Sequence, residues 1–219
     1  MAIQHNKKKL VILISGSGSN LQAFIDATAA GTLEAEISCV ICNKADAYGL
    51  QRAKNAGIET AVVSHKDFDS REAFDAVLAE RIKSFNPDLV ILAGFMRILT
   101  TGFVESFTGK LLNIHPSLLP KYTGLNTHQR AIDAGDDYAG VTVHFVTPEL
   151  DGGPPIIQAE IAIAADDDAQ SLAAKVLEKE HVIYPMATQW YLDKRLTLDG
   201  NSVLLDGEKL PETGQRYEA

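Results

Sequence analysis

Apolar positions along this chain fall into short unbroken runs, separated by segments in which they recur every three or four residues. Lys9–Ser15 is an apolar run of the kind carried by a strand buried on both faces, and the glycine–serine stretch Gly16–Asn20 ends it. Leu21, Phe24, Ile25 and Thr28 then follow at helical spacing up to Gly31. A second strand is predicted over Ile37–Cys42, a helix over Ala47–Gly57 stopped by Gly57, and a third strand over Ile58–Val63. Ser70 opens a further helix with Phe74, Val77, Leu78, Ile82 and Phe85 on one face, and Asp88–Ala93 reads as the next buried strand.

Strands and helices in this strict alternation imply an α/β fold: a mostly parallel, twisted sheet with right-handed crossovers and helices on both faces. Leu111–Ile114 adds a strand, after which the regularity ends. Gly140–Val146 and Ile156–Ile163 read as antiparallel strands of the C-terminal half, Ala169–Tyr191 as a long helix and Val203–Leu210 as a hairpin. No repeat or linker-like stretch appears. One domain is expected over residues 9–192, with a disordered extension over 1–8 and a hairpin and tail over 193–219.

Composition narrows the partners. The chain has 219 residues and a formal net charge of −9, with no basic cluster beyond Lys7–Lys9, so nucleic acid is not expected as the main partner. The run Leu10–Ile14 is too short for a secretory signal and no stretch approaches a membrane span, so a cytoplasmic location away from membranes is expected. Cys39 and Cys42 have the spacing of a redox pair, but they sit within a β-branched strand run, where buried structural thiols are the simpler expectation.

In such a sheet, ligands bind at the carboxyl ends of the parallel strands. Gly16–Asn20 opens a helix there, which suits an anion. It departs from the dinucleotide fingerprint at Leu21 and lacks the lysine of a P-loop, so a plain tight turn fits it equally well. Gly94–Leu99 follows the fourth strand and reads by itself as a turn carrying apolar residues. Asn113 and His115 have the same parity at the end of their strand and project to one face. Asp151, before two glycines and two prolines, is by itself compatible with an Asp-Gly turn. A metal site built from His115, His128, His144 and Asp151 matches no common ligand spacing. His128 is expected on a helix surface, and His144 as a partner within the site.

Five segments taken together, LISGSGSNLQAFIDA, NKADAYGLQRAKNAGI, LAGFMRIL, LLNIHPSLLPKYTG and VHFVTPELDGGP, resemble the family of folate-dependent phosphoribosylglycinamide formyltransferases of purine synthesis. The resemblance runs from about Leu10 to Trp190. It implies a Rossmann-like formyltransferase fold, 10-formyltetrahydrofolate as formyl donor, glycinamide ribonucleotide as acceptor, no metal, and a monomer or homodimer. By position, Asn113, His115 and Asp151 match the family's catalytic trio. Gly18, Ser19, Asn20 and Glu180 match ribonucleotide contacts. Arg71, Met96, Arg97, Ile98, Leu99, Asn113 and Thr147, Pro148, Glu149, Leu150 and Asp151 match folate contacts. Thr123 and Asn126 stand where proline and histidine are common in the family, and Pro148 where an acidic residue is usual.

The chemistry agrees with that alignment. An amine attacking a formyl carbon passes through a tetrahedral oxyanion, to which the Asn113 amide can donate. A protonated His115 adds a charged donor and can return a proton to the leaving nitrogen. A carboxylate at Asp151 favours the imidazolium and can accept a proton from the attacking ammonium. Met96, Ile98 and Leu99 suit the flat pterin and benzoyl rings. Lys121, Tyr122 and Gly124 are expected in a loop over the ribonucleotide that stays mobile until substrate arrives. A hydrolase acting on the same donor remains open from sequence alone.

Overall fold

The long apolar runs form the central strands. The structure is a computed structural model that describes residues 7–218. Most of the expected extension 1–8 lies outside the described residues, and Lys8 is already the first residue of a strand. The chain divides into two compact units, one up to Arg97 and one from Ile98, where the sequence leads one to expect a single domain.

The first unit runs β1 (Lys8–Ile14), α1 (Ser19–Ala30), β2 (Ala35–Cys42), α2 (Tyr48–Asn55), β3 (Thr60–Val62), α3 (Arg71–Lys83) and β4 (Leu89–Leu92). Its strands are parallel, in the order β4-β1-β2-β3. The chain steps outward from β1 to β3 and then returns to the other side of β1, so the topological switch lies between β1 and β4. Leu10 to Ile14 are all fully buried, because a central strand covered on both faces has no solvent side on which to place polar residues. α1 buries Leu21, Phe24 and Ile25 and ends at Gly31, whose φ of 75° is the left-handed cap that glycine adopts without strain.

α3 starts as expected, with the Ser70 hydroxyl accepting the Ala73 amide at 3.1 Å. Its buried face differs from the expected one. Phe74, Asp75, Leu78, Ala79 and Ile82 turn inward, and Val77 is 47% exposed. At about 100° per residue, the stripe that includes Asp75 and Ala79 is centred about 130° around the helix from Val77. Cys39 and Cys42 are buried in β2 and free. Burial pushes the Cys39 thiol up to about 12 and raises that of Cys42, so neither supplies a thiolate at neutral pH.

The second unit runs α4 (Thr101–Ser106), β5 (Leu111–His115), α5 (Thr127–Asp133), β6 (Tyr138–Phe145), β7 (Pro155–Ala162), α6 (Ala169–Leu192), β8 (Leu196–Asp199), β9 (Ser202–Leu205), β10 (Glu208–Lys209) and β11 (Gln215–Arg216). β5, β6 and β7 pair antiparallel in chain order, and β11 joins β7 in parallel. The predicted hairpin is β9–β10, which β8 extends to three strands. The α/β class and the antiparallel C-terminal strands thus stand as expected. α4 and α5, six and seven residues long, are too short for a period to show in the sequence.

Candidate active site

In the first unit, the carboxyl end of β1 turns through Gly18 into α1. Gly18 has φ 71°, and a Cβ there would lie 2.7 Å from the Gly49 Cα, so both the backbone conformation and the close approach of α2 require glycine. The Gly49 amide donates to the Gly16 carbonyl at 3.0 Å. Arg52 donates from Nε to the Ser17 carbonyl at 2.9 Å and from Nη1 to Gln22 Oε1 at 3.1 Å, with its guanidinium 4.9 Å over the Tyr48 ring. α2 therefore clamps the turn while Ser19 and Asn20 form the first turn of α1, whose leading amides have no intrahelical acceptor. That is the geometry of an anion site.

Arg71 is exposed at the start of α3, and Met96 is 66% exposed beyond β4. Arg97 is half-buried, and its Nε has no hydrogen-bond partner among the described residues.

In the second unit, β5 and β6 carry the candidate trio's neighbourhood. The antiparallel register sets Asn113 opposite His144 and His115 opposite Thr142. His115 Nδ1 lies 3.4 Å from Asp151 Oδ2, and both side chains are 8% exposed. On the other side of the ring, His115 Nε2 lies 2.8 Å from the Tyr122 carbonyl oxygen. Both ring nitrogens face acceptors, a pattern that an imidazolium satisfies fully and a neutral ring only by half. Asp151 holds φ 51°, and its Oδ2 also accepts the Gly124 amide at 2.9 Å, so its carboxylate does more than shape a turn. Gly153, two residues on, is steric: a Cβ there would lie 1.8 Å from the Phe145 carbonyl oxygen.

His144 orients Asn113. Its Nδ1 lies 2.8 Å from the Phe145 carbonyl oxygen, which can only accept, so Nδ1 carries the proton. Burial pushes the His144 pKa down to about 4, leaving the ring neutral at pH 7 with a lone pair on Nε2. Asn113 Nδ2, 3.1 Å from that lone pair, spends one hydrogen on it and keeps the second for another acceptor. His144, expected as a partner within the site, thus meets Asn113 directly.

The connection from Pro116 to Asn126 is tightly held. Thr142 Oγ1 donates to the Ser117 carbonyl at 2.7 Å and accepts the Leu119 amide at 3.1 Å, while Gln158 Nε2 donates to the Leu119 carbonyl at 2.7 Å. Lys121 and the Tyr122 hydroxyl both bind Asp136, and Arg130 Nη1 donates to the Thr123 carbonyl at 2.7 Å. The segment expected to cover the ribonucleotide thus carries side-chain hydrogen bonds along most of its length. Asn126 stands at φ 57°, a left-handed position that asparagine tolerates. His128 is a correction: it is half-buried, its Nδ1 lacks a hydrogen-bond partner among the described residues, and burial, with His115 nearby, lowers its pKa.

Ile98 is 57% exposed and Leu99 half-buried; Thr147 is half-buried and Pro148, Glu149 and Leu150 are exposed on the turn that ends at Asp151. Glu180 is buried in α6. The structure therefore joins His115 and Asp151 directly and ties Asn113 to His144 on the same strand face.

The formyl transferase family model matches residues 8–188. The chain is 51% identical to the phosphoribosylglycinamide formyltransferase of Escherichia coli (strain K12), over 94% of this chain and 97% of that protein. It is 50% identical to that of Haemophilus influenzae, over 96% of this chain and 100% of that protein. The solved phosphoribosylglycinamide formyltransferase of Coxiella burnetii superposes with a TM-score of 0.93 at 46% identity, over 97% of this chain and 100% of that one. The chain belongs to the formyl transferase family and, within it, to the phosphoribosylglycinamide formyltransferases of purine biosynthesis, enzymes that transfer a one-carbon formyl group from a formyl folate.

Proposed function

We propose that the protein transfers the formyl group of 10-formyltetrahydrofolate to the glycinamide amine of glycinamide ribonucleotide, without a metal, in the cytoplasm. The observation that carries the mechanism is the placement of His115 against the Asp151 carboxylate, on the same strand face as an Asn113 amide oriented by His144.

In this reading the amine lone pair attacks the formyl carbon, and the carbonyl oxygen becomes an oxyanion. The second Nδ2 hydrogen of Asn113 and an N–H of His115 donate to it. The His115 imidazolium then passes a proton to the departing folate nitrogen, and Asp151 takes one from the attacking ammonium as the C–N bond breaks. For His115 to reach substrate, the Tyr122 carbonyl has to leave Nε2. Gly18, Ser19 and Asn20 hold the acceptor's phosphate, with Glu180 a further contact to the ribonucleotide. Arg71, Met96–Leu99 and Thr147–Asp151 hold the folate, the exposed apolar side chains of Met96, Ile98 and Leu150 offering surface for its rings.

The deciding experiment follows deformylated folate after mixing the purified protein with 10-formyltetrahydrofolate, with and without glycinamide ribonucleotide. Release that depends on the acceptor and matches formylated product supports the reading. Release that ignores the acceptor makes the protein a hydrolase instead.

A further inference from the structure

We propose that a chain of three side chains, buried Ser15 and Asn43 and half-buried His65, positions the folate-binding segments of the first unit. The proposal rests on the folate reading of Arg71, Met96 and Arg97. Ser15 follows β1 and Asn43 follows β2, His65 lies in the 3-10 turn after β3, and Met96 lies beyond β4, so the chain ties together four strand ends around the topological switch.

The Met96 amide lies 2.8 Å from Ser15 Oγ, Ser15 Oγ lies 2.6 Å from Asn43 Oδ1, and Asn43 Nδ2 lies 3.2 Å from His65 Nδ1. Its direction follows from one end. A backbone amide only donates, so Ser15 Oγ accepts from Met96 and sends its own hydrogen to Asn43 Oδ1. The Asn43 amide group is then left to donate to His65, whose Nδ1 is the unprotonated nitrogen.

Ser15 and Asn43 are almost fully buried, where an unbonded hydroxyl or amide is costly and an apolar residue would pack more cheaply. Their bonds go neither to the strand ladder nor to a helix cap. They fix the backbone of Met96, whose side chain is exposed, and they reach the turn that leads into α3 and Arg71. His65 stands edge-on to Phe74 of α3, with ring centroids 6.4 Å apart at 86°. Both folate-assigned segments of this unit are thus referenced to one polar chain. A contact segment that is no longer held in place loses binding common to ground and transition states, which reads out as a raised KM with kcat unchanged. The turn Gly16–Asn20 has further ties of its own, to Arg52 and Gly49.

The test uses the full-length enzyme, with donor and acceptor varied separately and thermal unfolding measured alongside. Ser15→Ala is expected to raise the folate KM roughly tenfold, with kcat and the ribonucleotide KM within about twofold. Asn43→Asp keeps an acceptor for Ser15 and offers another to a His65 N–H, and should restore most of the folate KM that Asn43→Leu loses. If the buried variants do not fold, His65→Gln, at the half-buried end, still decides: a folate KM raised about threefold supports the chain. A lowered melting temperature with both KM values unmoved overturns it and leaves only core packing. Met96→Ala is the control for the underlying reading. If it leaves the folate KM unchanged, the folate assignment itself fails. If it raises that KM while Ser15→Ala and His65→Gln do not, only the positioning role fails.

Discussion

One carboxylate oxygen of Asp151 serves two partners: Oδ2 lies 3.4 Å from His115 Nδ1 and 2.9 Å from the Gly124 amide. Asp151→Asn tests which of these matters. Asparagine tolerates the left-handed φ of 51° and can still accept the Gly124 amide, so the turn should survive. The charge opposite His115 and the proton acceptor are lost together. A fall in kcat of roughly a hundredfold is expected, with a much smaller change in ribonucleotide KM. Steady-state kinetics on a variant confirmed as folded checks this, and turnover within a few-fold of the parent would return Asp151 to a structural turn.

His144 makes stability depend on pH. Its pKa is pushed down to about 4 in the folded protein against 6.5 unfolded, so between these values the unfolded chain binds more protons. Stability from this group is therefore fully present above about pH 6.5 and is lost as pH falls toward 4, by about 3 kcal/mol at most. His144→Gln removes the titration and keeps an acceptor for Asn113. Urea midpoints at several pH values should fall less steeply for the variant than for the parent across this window. Identical slopes would sink the assignment.

Gly153→Ala should destabilise the protein by about 1–3 kcal/mol or more, because the new Cβ meets a strand carbonyl rather than a flexible side chain. The Phe145 carbonyl it strikes is also the one that sets the His144 tautomer. Activity per folded molecule should therefore drop as well. Unchanged melting temperature and turnover would show that β6 and the turn yield freely.

What was legible in the sequence tracks what a single segment can display. β1 showed itself because its stretch Leu10–Ile14, covered on both faces, is apolar at every position, and the shared face of Asn113 and His115 followed from parity. The link from Asn113 to His144 did not, since it requires an antiparallel register across 31 residues. The Tyr122 carbonyl against His115 is a main-chain contact, invisible to residue type. α4, α5 and β11 are too short to carry a period. Ser15, Asn43 and His65 are each an ordinary residue after a strand, and only the parallel sheet brings them together.

The Arg52 guanidinium donates to Ser17 and Gln22 and stacks on Tyr48, and among the described residues no carboxylate forms an ion pair with it. A cation held by two neutral acceptors at a glycine-rich turn adds its field to that of the helix amino terminus. Arg52→Ala removes the field and leaves the Ser17 carbonyl without its donor. The ribonucleotide KM should rise about tenfold, equivalent to about 1.4 kcal/mol, with kcat within about twofold and the folate KM unaffected. Arg52→Lys should fall between, since a lysine keeps the charge but not the planar group that bonds and stacks at once. Inhibition by inorganic phosphate should weaken in parallel in both variants. A ribonucleotide KM that ignores both changes would leave the backbone amides of α1 as the whole anion site.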